Sequence, residues 1–215
     1  MIRFAFGKKK PGERNETARR VKAELGPRSI VLVGLMGCGK TSVGRRLANR
    51  LNLRFVDADE EIETAAGKSI KDIFSEHGEA HFRDGERKVI ARLLRDGPQV
   101  LATGGGAFMN ADIRKDIADA GISVWLRAEL PILMQRVLRR DNRPLLMSKD
   151  PEAVMRDLMA TRYPVYAQAD VTVDSRDVPH DVIVSEIIAA VARRFAVEPD
   201  RDGAATDPVS GGCAS

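Results

Sequence analysis

Residues 29–41 read Ser-Ile-Val-Leu-Val-Gly-Leu-Met-Gly-Cys-Gly-Lys-Thr. The apolar run Ile30–Val33 has the length and β-branched content of a buried strand. The eight residues after it match G-x-x-x-x-G-K-[ST], and a helix-like stretch follows to Leu51. Strand before and helix after is the context in which this motif binds phosphate. Glycines at 34, 37 and 39 let the backbone turn its N–H groups inward around a polyanion, which the helix N-terminus also attracts. Lys40 can reach the outer phosphates and the Thr41 hydroxyl can ligate Mg²⁺.

Outward from this stretch, strand and helix signals alternate. Leu53–Val56 is a short strand ending at Asp57, and Asp59–Ala66 is a helix closed by Gly67. A helical region runs from Ser69 to Asp96 with a break near Gly78. Val100–Thr103 is a strand that runs into three glycines. Ala111–Ala120 is a helix stopped by Gly121, and Ile122–Leu126 is a strand. Glu129–Arg140 is a helix whose Pro131 fits the first turn. A helix from Pro151 to about Gln168, a strand Val171–Val173 and an amphipathic helix Pro179–Phe195 complete the body. Five strand runs separated by helices predict an α/β domain with a parallel sheet flanked by helices on both faces. No internal repeat is present.

Length and composition agree with one α/β domain plus tails. The longest apolar runs fall far short of a membrane span, and the N-terminus lacks the order of a secretory signal. Two cysteines, Cys38 in the glycine-rich motif and Cys213 near the end, argue against a disulfide framework and for a reduced, cytoplasmic protein. The net charge of +4 is uneven. Residues 1–28 hold nine Lys/Arg and three acids, so the remainder is slightly acidic. Residues 1–27 read as a basic leader, helical from Asn15 to Leu25 and stopped by Gly26-Pro27, and as a solvated extension whose removal leaves activity intact. No aromatic residues interleave with its charges, so a nucleic-acid partner is not expected. Residues 197–215 read as a disordered tail, the folded domain as 28–196, and the whole as a monomer.

Further groups bear on chemistry. Asp57 and Asp59 close the second strand, at the carboxyl-end crevice where open α/β sheets bind ligands. One can help hold Mg²⁺ and the other can accept a proton from a substrate hydroxyl. Their alternative use is helix capping, with Asp59 as N-cap. Gly104-Gly105-Gly106 marks a close approach of backbone to a polar small molecule, or a flexible loop. Arg83, Arg136, Arg143 and Arg162 can recognise anions, although each taken alone reads as a surface charge. Arg143 lies in Asp-Asn-Arg-Pro-Leu-Leu (141–146), a polar segment between helices suited to a mobile lid over about 139–151.

In combination these motifs resemble the shikimate kinase family of nucleoside-monophosphate-kinase-like P-loop proteins, over roughly residues 28–195. The P-loop is shared with many NTPases; the specific pattern adds Asp57-Ala58-Asp59, Ile73-Phe74, Phe82-Arg83 with Glu86, Gly104–Gly106, Arg143-Pro144-Leu145-Leu146, and Arg162 before Pro164 and Tyr166. The resemblance implies a three-layer P-loop NTPase fold with a lid. It implies ATP-dependent phosphorylation of the shikimate 3-hydroxyl, with ATP and Mg²⁺. It places Gly37, Cys38, Gly39, Lys40, Thr41, Ser42, Arg136, Arg143 and Arg176 at ATP, and Thr41 and Asp57 at Mg²⁺. Asp59 becomes the base, with Lys40 and Arg143 catalytic beside it. Asp59, Arg83, Gly104, Gly105, Gly106 and Arg162 would grip shikimate, Phe74 and Phe82 would line its ring, and Glu86 would orient Arg83. The adenine loop near Arg176 and Pro179 is about one residue shorter than the family pattern. Cys38 replaces a usual Ala or Ser; its side chain is expected to pack away from phosphate, with a reactive thiol as the alternative. Two rival functions remain at this level: another small-molecule kinase such as a gluconate kinase, and a non-catalytic ligand-binding regulator.

Overall fold

The structure is a computed structural model that describes residues 11–139 and 150–197. The lid segment around Arg143 and both terminal tails lie outside the described residues. Five parallel strands form one sheet: β1 (Ser29–Val33), β2 (Arg54–Asp57), β3 (Gln99–Ala102), β4 (Gly121–Arg127) and β5 (Val171–Asp174). Their order is β2-β3-β1-β4-β5, with Ile30 level with Val100 on one side and Ile122 on the other. The central β1 is buried at every position, which its unbroken apolar run requires once both faces are covered.

Helices α1 (Pro11–Leu25), α2 (Lys40–Leu51), α3 (Ala58–Ala66), α4 (Ile70–Arg95), α5 (Ala111–Ala120), α6 (Leu130–Leu138), α7 (Pro151–Tyr166) and α8 (His180–Val197) connect and cover the strands. Gly78 interrupts α4 with φ +77°, where the break was expected. A single 3₁₀ turn, Ala107–Met109, follows the glycine triplet and had no clear sequence signal. Gly121 is not the left-handed stop its position suggested. Its backbone is extended, and a side chain there would meet the Ser29 carbonyl at 2.8 Å, so close strand pairing requires the glycine.

The basic leader is not merely a solvated arm. Helix α1 turns Ala18, Val21 and Leu25, one helical stripe, into the main core against α2 and α8. Lys22 Nζ also donates to the Asn52 carbonyl at 2.8 Å, across the end of α2. The expectation that the folded body begins at residue 28 is corrected accordingly. Deleting residues 1–25 is expected to cost about 3–6 kcal/mol, from burial of two large aliphatic side chains alone. Urea unfolding of the truncated and full chains measures this; equal midpoints would show that α1 contributes nothing. Among the described residues no helix is long and apolar enough to cross a membrane.

Candidate active site

The carboxyl ends of β1, β2, β3 and β5 open on a crevice of about 560 Å³. Its floor is the loop between β1 and α2. Gly37 and Gly39 adopt φ +84° and +97°, conformations that ordinary residues avoid, and these turns allow the loop to curl. Gly39 is the N-cap of α2, so the first free N–H groups of that helix face the crevice that Lys40, Thr41 and Ser42 line. Lys40 Nζ donates to the carbonyls of Gly34 at 2.7 Å and Leu35 at 3.2 Å, folded back over the loop. Cys38 is 1% exposed and its thiol packs in the core, where Sγ also lies 3.8 Å from Lys40 Nζ beneath the loop. Burial also removes the thiol from easy alkylation.

Asp57 ends β2 and caps α3. Its Oδ1 accepts from the Asp59 N–H at 3.2 Å and its Oδ2 from Thr41 Oγ1 at 2.9 Å. Capping and site chemistry are therefore both carried by Asp57, and Asp59 is not the N-cap. The two carboxylates flank the start of that helix, which begins at Ala58. They meet at the crevice through the bend between β2 and α3. Burial, then the neighbouring charge of Asp57, push the Asp59 carboxyl up to about 6, against the pull of Lys40.

The glycine triplet sits between Asp59 and two arginines. A side chain at Gly104 would lie 2.9 Å from both Asp59 Oδ1 and Glu86 Oε1. The Gly105 carbonyl accepts from Arg162 Nη1 at 3.0 Å and also from the Tyr166 hydroxyl. Gly106 is covered by the Arg83 guanidinium, whose nitrogens would be 2.6 and 2.7 Å from an added Cβ. Glu86, 1% exposed, accepts from Arg83 Nη1 at 2.7 Å, while its Oε1 has no hydrogen-bond partner among the described residues. Burial raises the Glu86 carboxyl above its ordinary range and Arg83 pulls it down. For Arg83, burial works against the charge, but Glu86 and Glu79 outweigh it and hold the guanidinium protonated. Arg83 and Glu86 thus behave as a locked unit beside a close-fitting glycine.

Phe74 and Phe82 stack at 4.5 Å and belong to a small apolar cluster with Ile62 and Ile73. The Arg83 guanidinium lies 5.1 Å from the Phe82 ring, and neither ring lines the phosphate crevice. Arg136 reaches the phosphate loop, donating to the Gly37 carbonyl at 3.3 Å and to Ser175 Oγ at 2.8 Å. Arg176 does not line the crevice. Its side chain pairs with Glu186, and only its carbonyl takes part, accepting from Arg136 at 2.7 Å. Asp177, Val178, His180 and Arg139 occupy the crevice wall instead. Sequence reasoning missed these four and Ser175. Four of the five follow the carboxyl end of β5, a position that by itself marks ligand contact in open α/β sheets. Burial and then the charges of Arg46 and Arg136 lower the His180 pKa.

Comparison with known proteins places this geometry. A family model described as shikimate kinase matches residues 36–192. A shikimate kinase of Bradyrhizobium diazoefficiens is 59% identical over 168 residues, covering 78% of this chain and 81% of that protein. One from Nitrobacter winogradskyi is 52% identical over 200 residues, covering 93% and 92%. Among solved structures, a shikimate kinase from Acinetobacter baumannii in complex with shikimate superposes with a TM-score of 0.75 at 38% identity, covering 80% of this chain and 97% of the other.

Proposed function

The chain belongs to the shikimate kinase family, and from that premise we propose that it transfers the γ-phosphoryl group of ATP to the 3-hydroxyl of shikimate in the crevice above β1. The observation that carries the reading is the seating of two guanidinium groups, from Arg83 and Arg162, on one glycine triplet that also abuts Asp59. A cyclic polyol bearing a carboxylate needs that combination. Its carboxylate takes the arginines in charge-assisted bonds, and its hydroxyls take the carboxylate.

The roles divide as follows. The N–H groups of the loop from Gly37 to Ser42 and the Lys40 ammonium hold the ATP phosphates and offset their charge. Arg136 closes the nucleotide side. Arg83 and Arg162 fix the shikimate carboxylate, Glu86 holds Arg83, and the triplet lets the ring approach closely. Asp59 accepts the proton of the 3-hydroxyl as its oxygen bonds to the γ-phosphorus and the bond to the ADP oxygen breaks. Arg143, outside the described residues, is assigned to the lid over the transferred group. Thr41 and Asp57 suit Mg²⁺: two hard oxygen donors converge at 2.9 Å beside the phosphate loop. An ion of this kind takes one or two protein ligands and completes its shell from phosphates and water. When bound, that ion supplies charge neutralisation on the phosphate oxygens.

ADP release measured with shikimate, gluconate and nucleoside monophosphates tests the substrate. Turnover is expected with shikimate, and activity on gluconate alone would replace this reading with that of the rival kinase. The triplet gives a second test. Gly106 has an ordinary negative φ of −97°, so an added methyl is excluded by space and not by backbone strain. In Gly106→Ala the Arg83 guanidinium must move off the site. KM for shikimate is expected to rise about tenfold or more, the cost of weakening one charge-assisted contact, with KM for ATP little changed. Equal KM values for shikimate in variant and wild type would remove Arg83 from the carboxylate.

A further inference from the structure

Ser175 follows β5 at the nucleotide side and is 3% exposed. Its N–H donates to the Arg127 carbonyl at 2.6 Å, which pins its backbone to the end of β4. Its hydroxyl makes two bonds, to the Cys38 carbonyl at 2.8 Å and with Arg136 Nη1 at 2.8 Å. A guanidinium only donates and a carbonyl only accepts, so the single hydroxyl proton is committed to Cys38 and a lone pair to Arg136. The bond directions are therefore determined without ambiguity.

The peptide joining Cys38 to Gly39 is planar and trans, so its C=O and N–H point in opposite directions. Tying the Cys38 carbonyl back to Ser175 turns the Gly39 N–H away from β5. Gly39 lines the crevice, and its N–H makes no hydrogen bond among the described residues. It is a donor held open in the wall of the phosphate loop. The same Ser175 oxygen restrains Arg136, whose other bonds reach the carbonyls of Gly37 and Arg176. One buried hydroxyl thus joins the phosphate loop, β5 and α6. The described contacts of Ser175 include none to Asp59, Arg83 or Arg162.

We infer that Ser175 is a positioning residue for the nucleotide: it aims the Gly39 N–H at phosphate and holds Arg136 at the base of the loop. It touches no reacting atom, and its effect belongs to the ATP half of the site alone. The inference rests on the reading of the crevice as an ATP site.

The test compares the full-length wild type with Ser175→Ala, Ser175→Cys and Ser175→Thr. ADP affinity is measured by calorimetry without shikimate, and KM for each substrate by coupled assay. Ser175→Ala is expected to weaken ADP binding and raise KM for ATP by about tenfold, as the loss of two buried polar contacts implies, with KM for shikimate within about twofold. Ser175→Thr, which keeps the hydroxyl, should recover most of the ADP affinity. If Ser175→Ala does not fold, Ser175→Cys preserves the volume with a poor hydrogen-bonding group and should show the same ADP defect. Wild-type ADP affinity in the folded Ala or Cys variant overturns the inference. So does an equal loss toward both substrates, or a Thr variant as weak as Ala. A wild-type enzyme that binds ADP but does not turn over shikimate would instead overturn the substrate reading and leave this one standing.

Discussion

Asp59→Asn is expected to lose turnover by about two to four orders of magnitude, the usual contribution of a positioned proton acceptor, while the unliganded protein becomes more stable at neutral pH. Both effects have one cause. The site holds the Asp59 carboxyl partly buried beside Asp57, and its pKa rises from 3.8 to about 6. A carboxyl with a native pKa above its unfolded value binds its proton more tightly in the folded chain. It therefore favours folding below about pH 4, and that advantage is lost as pH rises through about 6. Above pH 6 the wild type carries an ionised carboxylate in an unfavourable place, at a cost of up to about 3 kcal/mol. Asparagine carries no such charge. The stability difference between variant and wild type should grow from pH 4 to pH 6.5 and then level off. Urea titrations of the unliganded proteins across this range measure it, and ADP affinity of the variant should be near normal. Near-normal kcat would remove Asp59 from proton transfer. A stability difference that is flat with pH would mean that the folded site does not strain the carboxylate.

The second large effect concerns the phosphate cradle. Lys40→Met is expected to lower kcat by about 10²–10³, the range for deleting one preorganised group that stabilises transition-state charge. In the unliganded protein the ammonium lies within hydrogen-bonding distance of the Gly34 and Leu35 carbonyls. These contacts hold the cation over the loop. The wild-type KM for shikimate should persist, since no described contact joins Lys40 to Arg83 or Arg162. Lys40→Arg is not expected to rescue, because the broad planar guanidinium cannot replace a compact point charge inside the loop. Stopped product formation with intact binding of both substrates is the diagnostic combination. Retained turnover in Lys40→Met would undercut the assignment of the loop itself.

Much of this site is legible in the sequence, and the reason is locality. The phosphate loop is contiguous: its strand, its glycines and its helix N-terminus are neighbours in the chain, so their geometry follows from backbone preference and the position of side chains along a single turn. The break at Gly78 and the helix closed by Gly67 are legible for the same reason. The buried strands announced themselves as apolar runs, and the alternation of strand and helix implied a parallel sheet.

Other features depend on residues that meet only after folding. The leader's helix could be read from its letters, but its burial could not, because the stripe Ala18, Val21, Leu25 acquires meaning only against α2 and α8. Arg176 looked like a nucleotide ligand, yet Glu186 ten residues on captures its side chain, and Asp177 and His180 line the wall instead. The link from Ser175 to Cys38 spans 137 residues and carries no local pattern. By itself, then, the sequence determined the phosphate loop, the α/β class and the inventory of charged groups, since each is written in neighbouring residues. Only the tertiary structure decided the strand order, the seating of Arg83 on Gly106, the high pKa of Asp59 and the hold of Ser175 on the loop. These are set by distance and burial between segments far apart in the chain, and no short-range preference encodes either.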